Sequence, residues 1–286
     1  LYRQDSHILT NGQQPAQDYT VDELMCVCIA RQFQNGDVAA QGLATPLVVA
    51  GYLLARLTHA PDLRFASAIG QAICDDWAPV GLARIEDLWI GKGLMGSGFI
   101  RAVTEHLPRF APKEFFRPGQ MDSFGNFNNI ALGKDYRKPF MRLPGTGGIP
   151  DVTVFSPRVY TYVPRHSRVT FVETVDYVSG LGHVPDRRRG SGPVYCITDL
   201  GQFDWMNGRM RLTSYHRGVA VTHIQRKTGF ELEIAPDVHE TPPPTWEEVR
   251  LLREAIDPLG VRRLEMLGGQ ARKDLIRAIL EQENAL

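Results

Sequence analysis

The sequence has no stretch of about 18 uncharged apolar residues, the length a membrane-spanning helix requires. Its richest apolar run, Leu43 to Leu57, is broken by Arg56. A charged-then-apolar leader is also missing, and Leu1 to Gln17 is largely polar. Excess charge of either sign is absent. The 32 Lys plus Arg balance 32 Asp plus Glu, which excludes a nucleic-acid binder built on a broadly basic face. Cysteine is scarce: Cys26, Cys28, Cys74 and Cys196 make neither a disulfide scaffold nor a zinc motif. They read as reduced, buried thiols of a cytoplasmic protein. The eight histidines include no His-x-x-x-His pair, so no metal site is expected. No Gly-x-Ser-x-Gly elbow and no Gly-Lys-Ser/Thr loop occurs.

What the chain does have is an ordinary globular composition, 43% apolar and 22% charged over 286 residues, enough for one large domain. Residues 1–18 read as a polar tail. Thr20-Val21-Asp22-Glu23 is a capping box opening a helix through about Gln34, stopped by Asn35-Gly36. A strand over Asp37–Gln41 follows. Thr45-Pro46 starts a second helix that ends near Ala60-Pro61, and a strand over Leu63–Ala66 comes next. This alternation predicts an open, doubly wound α/β sheet.

Gly91 to Gly98, with four glycines, reads as a loop or tight helix entry. Glu114–Phe116, Val152–Tyr162, Arg168–Val175, Val194–Ile197, Arg209–Leu212 and Gly229–Ile234 read as strands, with Asn207-Gly208 as a hairpin turn. Val221–Lys227 reads as a short helix. Thr245 caps a helix through Ile256; Leu259–Gly269 reads as a loop and Ala271–Asn284 as a last helix. The α/β domain is placed at 19–258, with 259–286 as a C-terminal helical extension.

Two Gly-rich turns are the main chemical signal. Gly119 to Asn128 and Gly145-Thr146-Gly147-Gly148 can each expose backbone N–H groups to an anion or a carbonyl oxygen. Neither turn has the dinucleotide spacing. Glu173, inside Val172-Glu173-Thr174-Val175, is either a paired or a functional carboxylate. Asp75-Asp76 and Arg187-Arg188-Arg189 read as solvated surface.

An ordered set of short motifs resembles the β subunit of family I coenzyme A transferases of the glutaconate type. The set is Ala30-Arg31, Asn35-Gly36-Asp37, Ala60-Pro61-Asp62, Gly119-Gln120 with Asp122, Gly125-Asn126 and Asn128, Gly145 to Gly148, Thr198-Asp199, Thr228-Gly229-Phe230 and Ile256-Asp257-Pro258. The resemblance implies an open α/β subunit that pairs with an α subunit of the same family, as an obligate αβ unit assembled into α2β2. It also implies an acyl-CoA substrate, no separate cofactor, and a site between the subunits. Ser67, Ala68, Gly119, Gln120, Asn126, Asn128, Gly145, Gly147 and Gly148 are the candidate substrate-binding residues.

One departure sets this chain apart. The transferases carry a nucleophilic Glu six residues after Ala-Pro-Asp, and the same count here reaches Ala68. No Glu lies between Arg64 and Arg84. A methyl group cannot attack a thioester, so no catalytic residue is assigned to this chain. Loss of that Glu, together with Val172 to Gly180, resembles the β subunits of the steroid ring-opening CoA hydrolases. That resemblance implies C–C hydrolysis of a cyclic 3-oxo acyl-CoA with the catalytic base on the α subunit. A CoA transferase with its nucleophile elsewhere and a purely structural subunit are the alternatives.

Overall fold

The computed structural model describes residues 13–41, 45–68 and 70–284. Most of the expected polar tail, residues 1–12, lies outside the described residues. The chain runs α1 (Val21–Ala30), β1 (Val38–Gln41), α2 (Pro46–Thr58), β2 (Arg64–Ser67), β3 (Ala72–Cys74), α3 (Glu86–Trp89) and β4 (Gly93–Gly96). A broken helix follows, α4 (Phe99–Arg101), a π turn over Ala102–His106 and α5 (Leu107–Phe110), which leads into β5 (Lys113–Phe116). Two small ribbons come next, β6 (Gln120–Met121) with β7 (Phe127–Asn128) and β8 (Ala131–Leu132) with β9 (Met141–Arg142). The last part is α6 (Ile149–Phe155), β10 (Val159–Val163), β11 (Pro193–Thr198), β12 (Gly201–Met206), β13 (Arg209–Tyr215), α7 (Val221–Lys227), β14 (Glu233–Glu240), α8 (Trp246–Leu251) and α9 (Gly269–Gln282).

Ten strands make one mixed sheet in the order β14-β13-β12-β11-β10-β5-β1-β2-β3-β4. Its centre, from β2 through β1, β5 and β10 to β11, is parallel. The expected open α/β sheet is therefore what forms. The opening helix is set by its capping box, with the Glu23 carboxylate accepting the Thr20 N–H at 2.8 Å. α1 and α2 cover one face of the sheet, and Leu24, Ile29, Tyr52, Leu53, Phe65 and Phe115 form the main core there. Val261, Leu264 and Ile279, from the segment after Asp257-Pro258, belong to that same core. A second core on the other face gathers Phe116, Phe127, Phe171, Phe203 and Leu212.

Several expected elements differ. Val152–Tyr162 is not one strand. Pro150 sits in the first turn of α6, where its missing N–H has no cost, so the run is helical before β10 begins. Arg168–Val175 is a loop, touching Met121 through a single bridge at Phe171. Both neighbours of β10 are already taken by β5 and β11, so no place beside β10 was open to it. The strand expected from Gly229 starts only at Glu233, and the loop at Leu259–Gly269 contains a buried 3-10 turn over Val261–Glu265.

The Gly91 to Gly98 run holds the edge strand β4, exposed along its length. Gly91-Lys92-Gly93-Leu94-Met95-Gly96 does have dinucleotide-fingerprint spacing. It forms a strand at the sheet border, not the strand-to-helix turn that the fingerprint requires.

Candidate functional site

The five central parallel strands end on one edge, and the chain reverses its direction of travel across the sheet between β1 and β5. Open α/β sheets hold ligands outside the carboxyl ends of their strands at such a reversal. Ala68 leaves that edge after β2, and Gly119 leaves it after β5. With β1 between them, the two are carried two strands apart.

Ser67 is buried, and its Oγ accepts the N–H of Gly70 at 2.8 Å. It closes a turn and touches no base among the described residues. Ala68 follows it, partly buried. One strand-row back, Ala66 pairs with Ala40 and Ala40 with Glu114, so the three share a face of the sheet. Burial pushes the Glu114 carboxyl up to about 7. Sequence reading missed Glu114 as anything but a strand residue; its one signal was a lone carboxylate beside Phe115-Phe116.

The turn from Gly119 to Asn128 is built by its own side chains. Gln120 Oε1 accepts from Asn128 Nδ2 at 2.7 Å and from the Asp176 N–H at 3.0 Å. Gln120 Nε2 donates to Asp176 Oδ2 at 3.0 Å. Asn126 donates to Asp122 through Nδ2 and accepts the Gly182 N–H through Oδ1. The amides of Gln120, Asn126 and Asn128 thus hold the turn in shape.

Asn129 ties the two glycine segments together. Its Oδ1 accepts the Gly119 N–H at 2.7 Å, and its carbonyl accepts the Gly145 N–H at 2.8 Å. Beyond it the loop is open: a Cβ added at Gly145, Gly147 or Gly148 would meet nothing within 4 Å. Gly145 and Gly147 have positive φ, 103° and 51°.

Other sequence candidates have structural explanations. Arg187, expected in solvent, donates to the carbonyls of Thr153 and Gly182 at 2.8 and 3.0 Å and pins the loop ahead of β11. Glu173 is exposed, and Asp76 pairs with Lys92 at 3.0 Å on the surface. Thr198-Asp199 and Thr228 converge on the buried His166. Its ring nitrogens lie 3.2 Å from Thr198 Oγ1 and 3.0 Å from Thr228 Oγ1, and its backbone N–H donates to Asp199 Oδ1 at 2.7 Å. Burial holds the His166 ring down at about 3, so it is a neutral rivet between β10, β11 and α7. The four cysteines are free and buried, and burial raises each thiol. Among the described residues no group of three His, Cys, Asp or Glu is placed to hold a metal ion, and no helix is long and apolar enough to cross a membrane.

No protein-family profile matches the chain. Individual relatives do. The B subunit of the 3-oxoadipate CoA-transferase of Pseudomonas knackmussii is 32% identical over 252 residues, which are 82% of this chain and 92% of the relative. The cholesterol ring-cleaving hydrolase IpdB subunit of Rhodococcus jostii is 32% identical over 241 residues, 81% of this chain and 89% of the relative. Among solved structures, the decarboxylase AibA/AibB superimposes with a TM-score of 0.75 at 32% identity, covering 86% of this chain and 98% of that one. Transferase, hydrolase and decarboxylase stand at the same identity, so the scaffold is shared while the chemistry differs. This chain belongs to the family of CoA-transferase B subunits and their ring-cleaving hydrolase relatives.

Proposed function

We propose that this chain is the B subunit of a heteromeric, cytoplasmic hydrolase that opens a ring of a cyclic 3-oxo acyl-CoA in steroid breakdown. The observation that carries the reading is Ala68, a methyl group at the end of β2 where the transferase resemblance puts a carboxylate nucleophile. Covalent transfer of CoA needs that nucleophile, whereas hydrolysis by an activated water does not. The IpdB hydrolase relatives support the reaction, and the AibA/AibB pair and the relatives named as B subunits support a second chain.

In this reading a base on the A subunit takes a proton from water, and the hydroxide adds to the ring ketone. The C–C bond then breaks, giving a carboxylic acid and a carbanion that takes up a proton. The backbone N–H groups of Thr146, Gly147 and Gly148, which donate to no partner among the described residues, are suited to stabilise the developing oxyanion. The acyl-CoA is itself the substrate, and no further cofactor is called for.

The test uses the chain co-purified with its A subunit. Given a cyclic 3-oxo acyl-CoA, the complex should add one water and open the ring. After borohydride or hydroxylamine treatment the mass of this chain should be unchanged, and CoA should not pass to an added carboxylic acid. A trapped adduct on a carboxylate of this chain, together with CoA exchange, would establish the transferase reading in its place. Full turnover by the A subunit once any inert B scaffold is supplied would make this chain structural only.

A further inference from the structure

A cavity of about 70 Å3 lies between the first turn of α2, the segment leading into α3, α3 itself and the buried 3-10 turn over Val261–Glu265. Val49, Leu88, Trp89 and Val261 are its buried walls, and the exposed Ile85 borders its opening. All ten residues that line it are apolar, and none brings a charge, a hydroxyl or a side-chain amide.

Its rim and back wall are fixed. The Glu283 carboxylate accepts the N–H of Leu82 at 2.9 Å and that of Ala83 at 2.8 Å, which holds the segment entering α3. The Trp89 ring stands edge-on to Phe65, with centroids 6.3 Å apart. The cavity also adjoins the candidate site. A Cβ placed on Gly70 would stand 2.8 Å from the Trp89 Cβ, so the turn after Ala68 rests against the Trp89 wall. α2 follows β1, so its first turn lies at the carboxyl edge of the sheet, where β2 delivers Ala68.

The lining selects the occupant. A water molecule inside would lack polar partners, so the space is poorly hydrated. A carboxylate or a phosphate would also go unpaired there. The volume is near half of the ~150 Å3 that admits a benzene ring, so about three carbons fit and a fused ring does not.

We propose that this cavity is the subsite for a short aliphatic branch, about two or three carbons long, on the acyl group of the substrate. The proposal rests on the reading of the chain as part of an acyl-CoA enzyme. Each methylene that enters exchanges water for an apolar wall and tightens binding about fourfold. Val49, Leu88 and Val261 set how long a branch is accepted.

The experiment uses the co-purified αβ complex and cyclic acyl-CoA thioesters that lack the ring ketone and so cannot be opened. The set differs in one alkyl branch, from hydrogen to pentyl, placed at each ring carbon in turn. Calorimetric titration of wild type should show, for one position, a Kd that falls about fourfold per carbon up to about three carbons and rises beyond. Val49→Ala should move the optimum one or two carbons longer. Val49→Phe, which fills the space, should erase the preference. Ratios taken within one protein cancel any loss of folded material, and the gain in Val49→Ala stands even where Val49→Phe fails to assemble. An identical branch preference in wild type and Val49→Ala places the branch elsewhere and overturns the proposal. Loss of the A subunit from Val49→Phe on gel filtration, with the preference unmoved in Val49→Ala, makes the cavity a socket for a partner side chain and also overturns it. If the branch preference shifts as expected yet the ketone-bearing substrates are not opened, the hydrolase reading fails and the subsite stands.

Discussion

The Glu265 carboxylate accepts the N–H of Leu47 at 3.0 Å, closing the first turn of α2 from 218 residues away. The same group accepts from the Tyr162 hydroxyl at 2.8 Å and from Arg117 at 3.1 Å. It is a buried hub joining α2, β10 and the segment after β5, beside the β1/β5 reversal. Burial raises its pKa against the pull of these partners.

Removing the hub should be severe. Glu265→Ala leaves a helix N–H, a phenol and a guanidinium without their partner. A loss of about 3 kcal/mol is expected in urea unfolding, with Glu265→Gln intermediate. Deletion of 259–286 should abolish folding, because Val261, Leu264 and Ile279 leave the main core with it. A soluble, cooperatively folding truncation would contradict the hub.

The glycines divide into two kinds. A Cβ at Gly182 would collide with the backbone of Phe124 and Asn126, whereas one at Gly148 meets nothing. Gly182→Ala should cost about 2 kcal/mol or more, and Gly148→Ala should leave the melting temperature nearly unchanged. A fall in kcat/KM of the Gly148→Ala complex at unchanged stability assigns that loop to the substrate; equal kinetics separates it from the site.

Two buried histidines should make the protein acid-sensitive. Burial holds His166 at about 3 and His216 at about 4. Both are depressed below the unfolded value, so the unfolded chain binds more protons in acid. Their stabilisation is complete above about pH 6.5 and is lost as pH falls toward 4 and then 3. Urea midpoints measured from pH 7 to pH 4 should drop steeply in wild type and less steeply in His166→Gln/His216→Gln. Parallel profiles would show that these rings do not control the acid limb.

Glu114 works in the opposite direction. Its folded pKa of about 7 is raised above the ordinary 4.5, so the folded state holds a proton that the unfolded state has released. That contribution is full below about pH 4.5 and is lost as pH rises through 7, amounting to at most about 3 kcal/mol. Glu114→Gln keeps the shape without the titration. It should be more stable than wild type at pH 8 and close to it at pH 5, as judged by melting temperature.

Local chemistry made much of the fold legible in the sequence. The Thr20/Glu23 capping box set α1, Asn207-Gly208 set the β12–β13 hairpin with φ of 53° and 77°, and helix–strand alternation set an open α/β sheet. The missing carboxylate at position 68 was legible too, because a residue's chemistry is written in its name.

Contacts between distant segments were not legible. Whether Arg168–Val175 paired as a strand depended on β5 and β11 already flanking β10. Whether Gln120, Asn126 and Asn128 faced a ligand depended on Asp122, Asp176 and Gly182, which local spacing does not reveal. Glu114 and Glu265 took their character from burial and from neighbours on distant segments. Desolvation and partner geometry belong to the packed chain, so only the tertiary structure decided them.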